Sequence, residues 1–241
     1  MGLVLYKAGE IALGGIHKSS LIDYPGKVSC VLFVQGCNFR CPFCHNPELV
    51  IPSQSATRLD NDQVLEFLVQ RQGYLDAVVI SGGEPTLHPA LLELCLRIKE
   101  MGYCVKLDTN GSRPDVLESL IQEQAVDYVA MDIKSALPDY IHFTRESHVA
   151  DLIKASIEII MEHCEDYEFR TTCVRTFVNP ASIGNMARTI KGAKLYVLQP
   201  FRQEHVLRPE FFEHNPGLLT DSEIEELRVI AQSWVQRCIV R

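Results

Sequence analysis

Ala77-Val78-Val79-Ile80-Ser81-Gly82-Gly83-Glu84-Pro85 is a short apolar run that stops at two glycines. A short run of this kind, rich in β-branched residues, is expected to form a strand over 77–81. The residues that follow have helical spacing over 89–101, and a second apolar run occupies 104–107. The same alternation recurs along the chain. Strands are expected over 27–34, 77–81, 104–107, 128–133, 167–174 and 195–198. Helices are expected over 59–72, 89–101, 114–122, 150–163, 183–190 and about 222–236. Asp60 or Asn61 is a suitable N-cap for the first helix. Proline falls near the first turn of two others, where its missing N–H costs nothing.

Strands alternating with helices imply an α/β fold with a parallel sheet and right-handed crossovers. Six βα units fall short of a closed eight-unit barrel, so an open partial (β/α)6 barrel is expected. Reactive groups should then lie on the loops after the strand C-termini. A single domain is expected over 1–241, with 1–23 as an N-terminal extension packed against the sheet.

The chain has 241 residues, 46% hydrophobic and 22% charged, with a formal net charge of -8. That charge argues against an extended nucleic-acid surface, which needs clustered Lys and Arg. No apolar run is long enough for a membrane helix, the start does not read as a secretory signal, and Gly2 lacks the myristoylation spacing. A cytoplasmic location is expected, in which the nine cysteines are thiols or metal ligands.

Directly after the first strand stands Gln35-Gly36-Cys37-Asn38-Phe39-Arg40-Cys41-Pro42-Phe43-Cys44-His45-Asn46-Pro47. Three cysteines at C-x3-C-x2-C in one loop can converge on one inorganic centre. Iron–sulfur clusters take thiolate ligands, commonly four, so three would leave one iron open to a substrate. Zinc held by the three cysteines and His45 is an alternative, but His45 adjoins Cys44 and is poorly placed to share one tetrahedron with it. Cys41-Pro42-Phe43-Cys44-His45 also matches a haem attachment pattern, which Cys37 and the α/β alternation fit badly. Cys30, Cys95, Cys104, Cys164, Cys173 and Cys238 are scattered singly and are expected to pack as small apolar residues.

Gly82 and Gly83 end the second expected strand, where glycine permits close backbone approach and exposed carbonyls could accept an ammonium group. An ordinary turn is the plainer reading of that pair alone. Asp108 and Thr109 end the third strand and Asp132 and Lys134 the fourth. A strand-end carboxylate is most simply a helix cap or a solvated loop residue. Arg170, inside an otherwise apolar strand, needs a partner or an exit to solvent.

The cysteine spacing, with aromatic Phe43 before the third cysteine, resembles the signature of the radical S-adenosylmethionine superfamily. Gly82-Gly83-Glu84 resembles that superfamily's glycine-glycine-glutamate motif. The resemblance implies a [4Fe-4S] cluster on Cys37, Cys41 and Cys44, S-adenosylmethionine on its open iron, and one-electron cleavage to methionine and a 5′-deoxyadenosyl radical. It places Phe43, His45, Gly82, Gly83, Glu84, Asp108, Thr109, Asp132, Lys134 and Arg170 around the cofactor. The segments at Asp108 and Asp132 resemble those of glycyl-radical-enzyme activases. That likeness implies a monovalent cation on Asp108, Thr109 and Asp132, with Lys134 reaching the cofactor carboxylate or ribose and Arg170 contacting the carboxylate. In related pyruvate formate-lyase activases a histidine stands where Arg202 falls. Arg202 is therefore left either to take over that contact or to serve a partner surface.

From Gly14 to Lys27, and on through Val34-Gln35-Gly36-Cys37 to Leu49, the chain is similar to anaerobic ribonucleoside-triphosphate reductase activating proteins. This implies that hydrogen is taken from a glycine of that reductase, with a low-potential donor such as flavodoxin or ferredoxin. Asn46 to Arg58 contains no cysteine, so the extra-cluster insert of some activases is absent there. Two other readings stand beside this one. One is a small-molecule radical enzyme such as a 7-carboxy-7-deazaguanine synthase, against which stands the expectation of a barrel left open to a partner's loop. The other is an iron–sulfur electron carrier, which would have no need of Gly82-Gly83-Glu84 or of Asp132 and Lys134.

Overall fold

The computed structural model describes residues 10–51, 58–215 and 217–241, so residues 1–9 of the expected extension lie outside the described residues. The chain divides into two compact units. The first comprises Met1–Asn38, Glu48–Thr109 and Asp115–Tyr128; the second comprises Phe39–Pro47, Asn110–Pro114 and Val129–Arg241.

In the first unit, β1 (Leu13–Ser20) pairs antiparallel with β2 (Ser29–Val34). β2, β3 (Ala77–Gly82) and β4 (Cys104–Thr109) then pair in parallel. Val78, Val79 and Ile80 are inaccessible to solvent. Successive strand side chains point to opposite faces, so both faces of β3 are covered, as its apolar run requires. Each such aliphatic side chain contributes about 1.5–3 kcal/mol. Between the strands run α1 (Pro47–Val50), α2 (Asn61–Gln70) and α3 (Leu91–Glu100), and α4 (Pro114–Gln122) follows β4. Asp60 is the N-cap of α2, its carboxylate accepting from the amides of Asp62 and Gln63.

The second unit holds β5 (Tyr128–Asp132) from Val129 onward, with β6 (Tyr167–Cys173), β7 (Tyr196–Pro200) and β8 (Cys238–Val240), paired in parallel in that order. Between them run α5 (Val149–His163), α6 (Pro180–Thr189) and α7 (Asp221–Gln232). α6 begins earlier than the expected 183 because Asn179 and Ser182 form a capping box and Pro180 sits in the first turn. Thr220 and Glu223 cap α7 in the same way.

The α/β class and open parallel sheet are as expected, and each of β2 to β7 is followed by a helix. Two strands were not anticipated. β1 lies in the segment expected only to pack against the sheet, and β8 adds a strand after α7. Three 3-10 turns, Pro85–Leu87, Leu137–His142 and Pro209–Glu213, follow β3, β5 and β7. Tight, proline-led turns thus follow the strand ends at which Gly82 and Asp132 stand.

Candidate active site

In the first unit the chain leaves β2 at Val34 and passes through Gln35 and Gly36 to Cys37. Gly36 has φ +90°, a conformation that glycine adopts without steric cost. Its amide donates to the Leu49 carbonyl at 2.7 Å and its carbonyl accepts from the Glu84 amide at 2.8 Å. A Cβ on Gly83 would stand 2.0 Å from that Gly36 oxygen, and one on Gly82 would stand 2.6 Å from the Val34 nitrogen. The two glycines are therefore required by close approach of backbones. His88 Nε2 donates to the Gln35 carbonyl at 2.9 Å, and burial holds its pKa below the ordinary histidine value.

Glu84 is 0% exposed. Its Oε1 accepts from the Thr86 amide at 3.1 Å, the Thr86 hydroxyl at 2.6 Å and the Thr109 hydroxyl at 2.8 Å. One carboxylate oxygen thus fastens the end of β4 to the turn after β3. At Asp108, Oδ1 lies 2.5 Å from Lys106 Nζ, and Oδ2 accepts from the Ser81 hydroxyl at 3.0 Å.

In the second unit the cysteine loop closes a turn in which the Cys44 amide donates to the Cys41 carbonyl at 3.1 Å. Three further backbone bonds anchor it: Arg40 N to Phe143 O at 2.7 Å, Leu207 N to Cys44 O at 2.9 Å and Arg208 N to Pro42 O at 3.1 Å. Phe43 is buried, its ring centroid 5.7 Å from both Phe143 and Phe177. That aromatic contact makes Phe43 the hydrophobic peg of the loop. His45 Nε2 donates to the Arg202 carbonyl at 2.7 Å, which commits that nitrogen to the backbone instead of to a zinc ion. Among the described residues no three His, Cys, Asp or Glu side chains converge on a single metal ion. The Arg202 side chain is exposed.

Parallel pairing sets Asp132 at the end of β5 opposite Arg170 of β6. Arg170 Nε lies 2.9 Å from Asp132 Oδ1, and Lys134 Nζ lies 3.2 Å from Oδ2. The Lys134 amide donates to the Tyr140 hydroxyl at 3.0 Å. Tyr140 is wholly buried, and desolvation pushes its pKa up, so it stays neutral. Two cations thus meet at one carboxylate, through charge-assisted hydrogen bonds.

Cys41 is buried, while Cys37 and Cys44 are partly exposed. At Cys30, Cys95, Cys164 and Cys173, burial pushes the thiol up to about 12. A thiol that resists ionisation is a poor metal ligand. Cys41 and Cys44, on the backbone pinned as above, are donors of the kind that a thiolate-held cluster takes. Lys106, Ser81, His88 and Tyr140 escaped the sequence reading. The signal that marked Arg170, a lone cation within an apolar strand, was equally present in Val105-Lys106-Leu107.

Residues 31–190 match the family model for the radical SAM superfamily. A candidate glycyl-radical enzyme activating enzyme of Methanocaldococcus jannaschii is 35% identical over 237 residues, spanning 95% of this chain and 95% of that protein. A pyruvate formate-lyase-activating enzyme of Staphylococcus aureus is 29% identical over 147 residues, 57% of this chain and 55% of that one. Among solved structures, TYW1 with a lysine-pyruvate adduct bound is similar in fold, with a TM-score of 0.59 at 16% identity over 86% of this chain and 72% of that chain. The match over 31–190 and the likeness to the Methanocaldococcus protein along nearly its whole length establish that the chain belongs to the radical S-adenosylmethionine superfamily, whose members use a [4Fe-4S] cluster and S-adenosylmethionine.

Proposed function

We propose that this chain is an activating enzyme that installs a glycyl radical on a partner, and that the partner is an anaerobic ribonucleoside-triphosphate reductase. The observation that carries the activase reading is the 35% identity, over 95% of both chains, to a candidate glycyl-radical enzyme activating enzyme. The reductase is favoured by the resemblance running from Gly14 through Leu49. When bound, the cluster and S-adenosylmethionine supply one-electron reductive cleavage and, through it, abstraction of a hydrogen atom. Cys37, Cys41 and Cys44 would hold the cluster, and a low-potential electron donor such as flavodoxin or ferredoxin would be a second partner. The carbonyls at Gly82 and Gly83 would receive the methionyl ammonium, and Arg170 and Lys134 would receive the carboxylate, with Asp132 holding both cations in place. Glu84 acts one step back, locking the ends of β3 and β4 through Thr86 and Thr109.

The test is anaerobic incubation of the reconstituted protein with S-adenosylmethionine, a low-potential reductant and candidate reductases, read by electron paramagnetic resonance. A glycyl radical on the reductase is the expected result. Deuterium should pass into 5′-deoxyadenosine when that protein's glycines are α-deuterated. Efficient turnover of a small molecule with no glycyl radical on any partner would overturn the activase reading.

A further inference from the structure

The resemblance to activases implies a monovalent cation on Asp108, Thr109 and Asp132. In the first unit the residues around Asp108 do not suit one. Lys106 is 2% exposed, and its Nζ lies 2.5 Å from Asp108 Oδ1. The other carboxylate oxygen accepts from Ser81 at 3.0 Å, and the Thr109 hydroxyl donates to Glu84 at 2.8 Å. Lys106 and Asp108 are two apart on β4 and therefore share one face, while the inaccessible Val105 and Leu107 take the other. The lysine cannot reach solvent, so its charge must be met inside the protein. Asp108 meets it, and the Tyr128 ring lies 6.0 Å from the ammonium. A metal ion brought to this carboxylate would sit against a fixed ammonium in a low-dielectric setting, where like charges repel strongly.

We infer that Lys106 is the built-in counter-cation of Asp108, and that this chain uses S-adenosylmethionine without a monovalent metal ion at that carboxylate. Lys106 is a positioning residue: it fixes the charge and orientation of Asp108 at the end of β4. The inference rests on the superfamily's cofactor chemistry and is independent of which partner receives the radical.

Two measurements in tetramethylammonium buffer, with and without added K+ or Na+, decide it. The first is the thermal midpoint of the cluster-free protein. The second is S-adenosylmethionine affinity of the reconstituted protein. Wild type should be unchanged by either ion in both. Lys106→Met should melt lower and bind S-adenosylmethionine about ten- to a hundredfold more weakly. K+ or Na+ should restore a large part of both losses by taking the vacated place beside Asp108. The double variant Lys106→Met/Asp108→Asn, with neither charge left, should be insensitive to both ions, and it serves where the single variant folds poorly. Tighter cofactor binding by wild type in K+ or Na+ would overturn the inference. So would a Lys106→Met variant that matches wild type in the absence of both ions.

Discussion

Arg170 and Asp132 face each other across the β5–β6 register, 38 residues apart in sequence and 2.9 Å apart between Nε and Oδ1. The guanidinium is 13% exposed and the carboxylate 33%, so the pair sits at the mouth of the strand ends, half shielded from water. With Lys134 on the other carboxylate oxygen, the arrangement keeps two cations oriented before any ligand arrives. Preorganised charge of this kind strengthens binding because no side-chain ordering remains to be done.

Asp132→Ala and Lys134→Ala should therefore keep a full cluster yet bind S-adenosylmethionine about ten- to a hundredfold more weakly, the equivalent of about 1.5–3 kcal/mol. Equilibrium binding and cleavage rates measured on reconstituted protein test this. Wild-type values in both variants would make the two residues ordinary loop positions.

Replacing Cys37, Cys41 or Cys44 with alanine should each abolish a stable [4Fe-4S] cluster. Cys95→Ala and Cys164→Ala should leave it intact, because burial holds those thiols at about 12, far from the thiolate a cluster needs. Iron and sulfide per chain after anaerobic reconstitution discriminate the two groups.

Gly83→Ala should destabilise the fold by about 3 kcal/mol, since a methyl group there would be 2.0 Å from the Gly36 carbonyl oxygen. Gly102→Ala is the comparison: φ is +88° but nothing lies within 4 Å, so only backbone strain of about 1–2 kcal/mol is expected. Urea denaturation of the two variants should rank them in that order.

A fourth expectation concerns acid. Burial lowers the pKa of His88 from its ordinary 6.5, with Arg58 adding to the effect, against the hydrogen bond to Gln35 that raises it. The unfolded chain then takes up the proton more readily than the folded one. Stability from this group is complete above 6.5 and is lost as pH falls below 6.5 towards the folded value. Urea midpoints measured from about pH 8 to about pH 5 should fall less steeply in His88→Gln than in wild type.

Much of the architecture could be read directly. Apolar runs such as Val78-Val79-Ile80 and periodic helices such as α3 announce themselves, because burial alone decides those positions. β1 did not, since Gly14, Gly15, His17 and Lys18 break the alternation that marks a half-buried strand. β8 is three residues long and carries too short a pattern. At the site, the residue types were legible but their partners were not. Glu84 is met by a threonine 25 positions onward, and Phe43 packs on Phe143 and Phe177, contacts that only the folded chain reveals. Phe43 and Glu84 prove to be held by protein, which no motif distinguishes from being held out to a ligand.

The abutment of Gly36 and Gly83 bears on the order in which the enzyme matures. The backbone leading to Cys37 is indexed to β3 by main-chain hydrogen bonds and hard contact. Small zinc-dependent domains work the other way, since the ion there drives folding itself. Here the polypeptide is expected to fold before iron and sulfide are received, with the approach to the first ligand framed by its own backbone. Chelation should accordingly strip the chain without unfolding it, leaving an apoprotein competent for repeated reloading after oxidative damage.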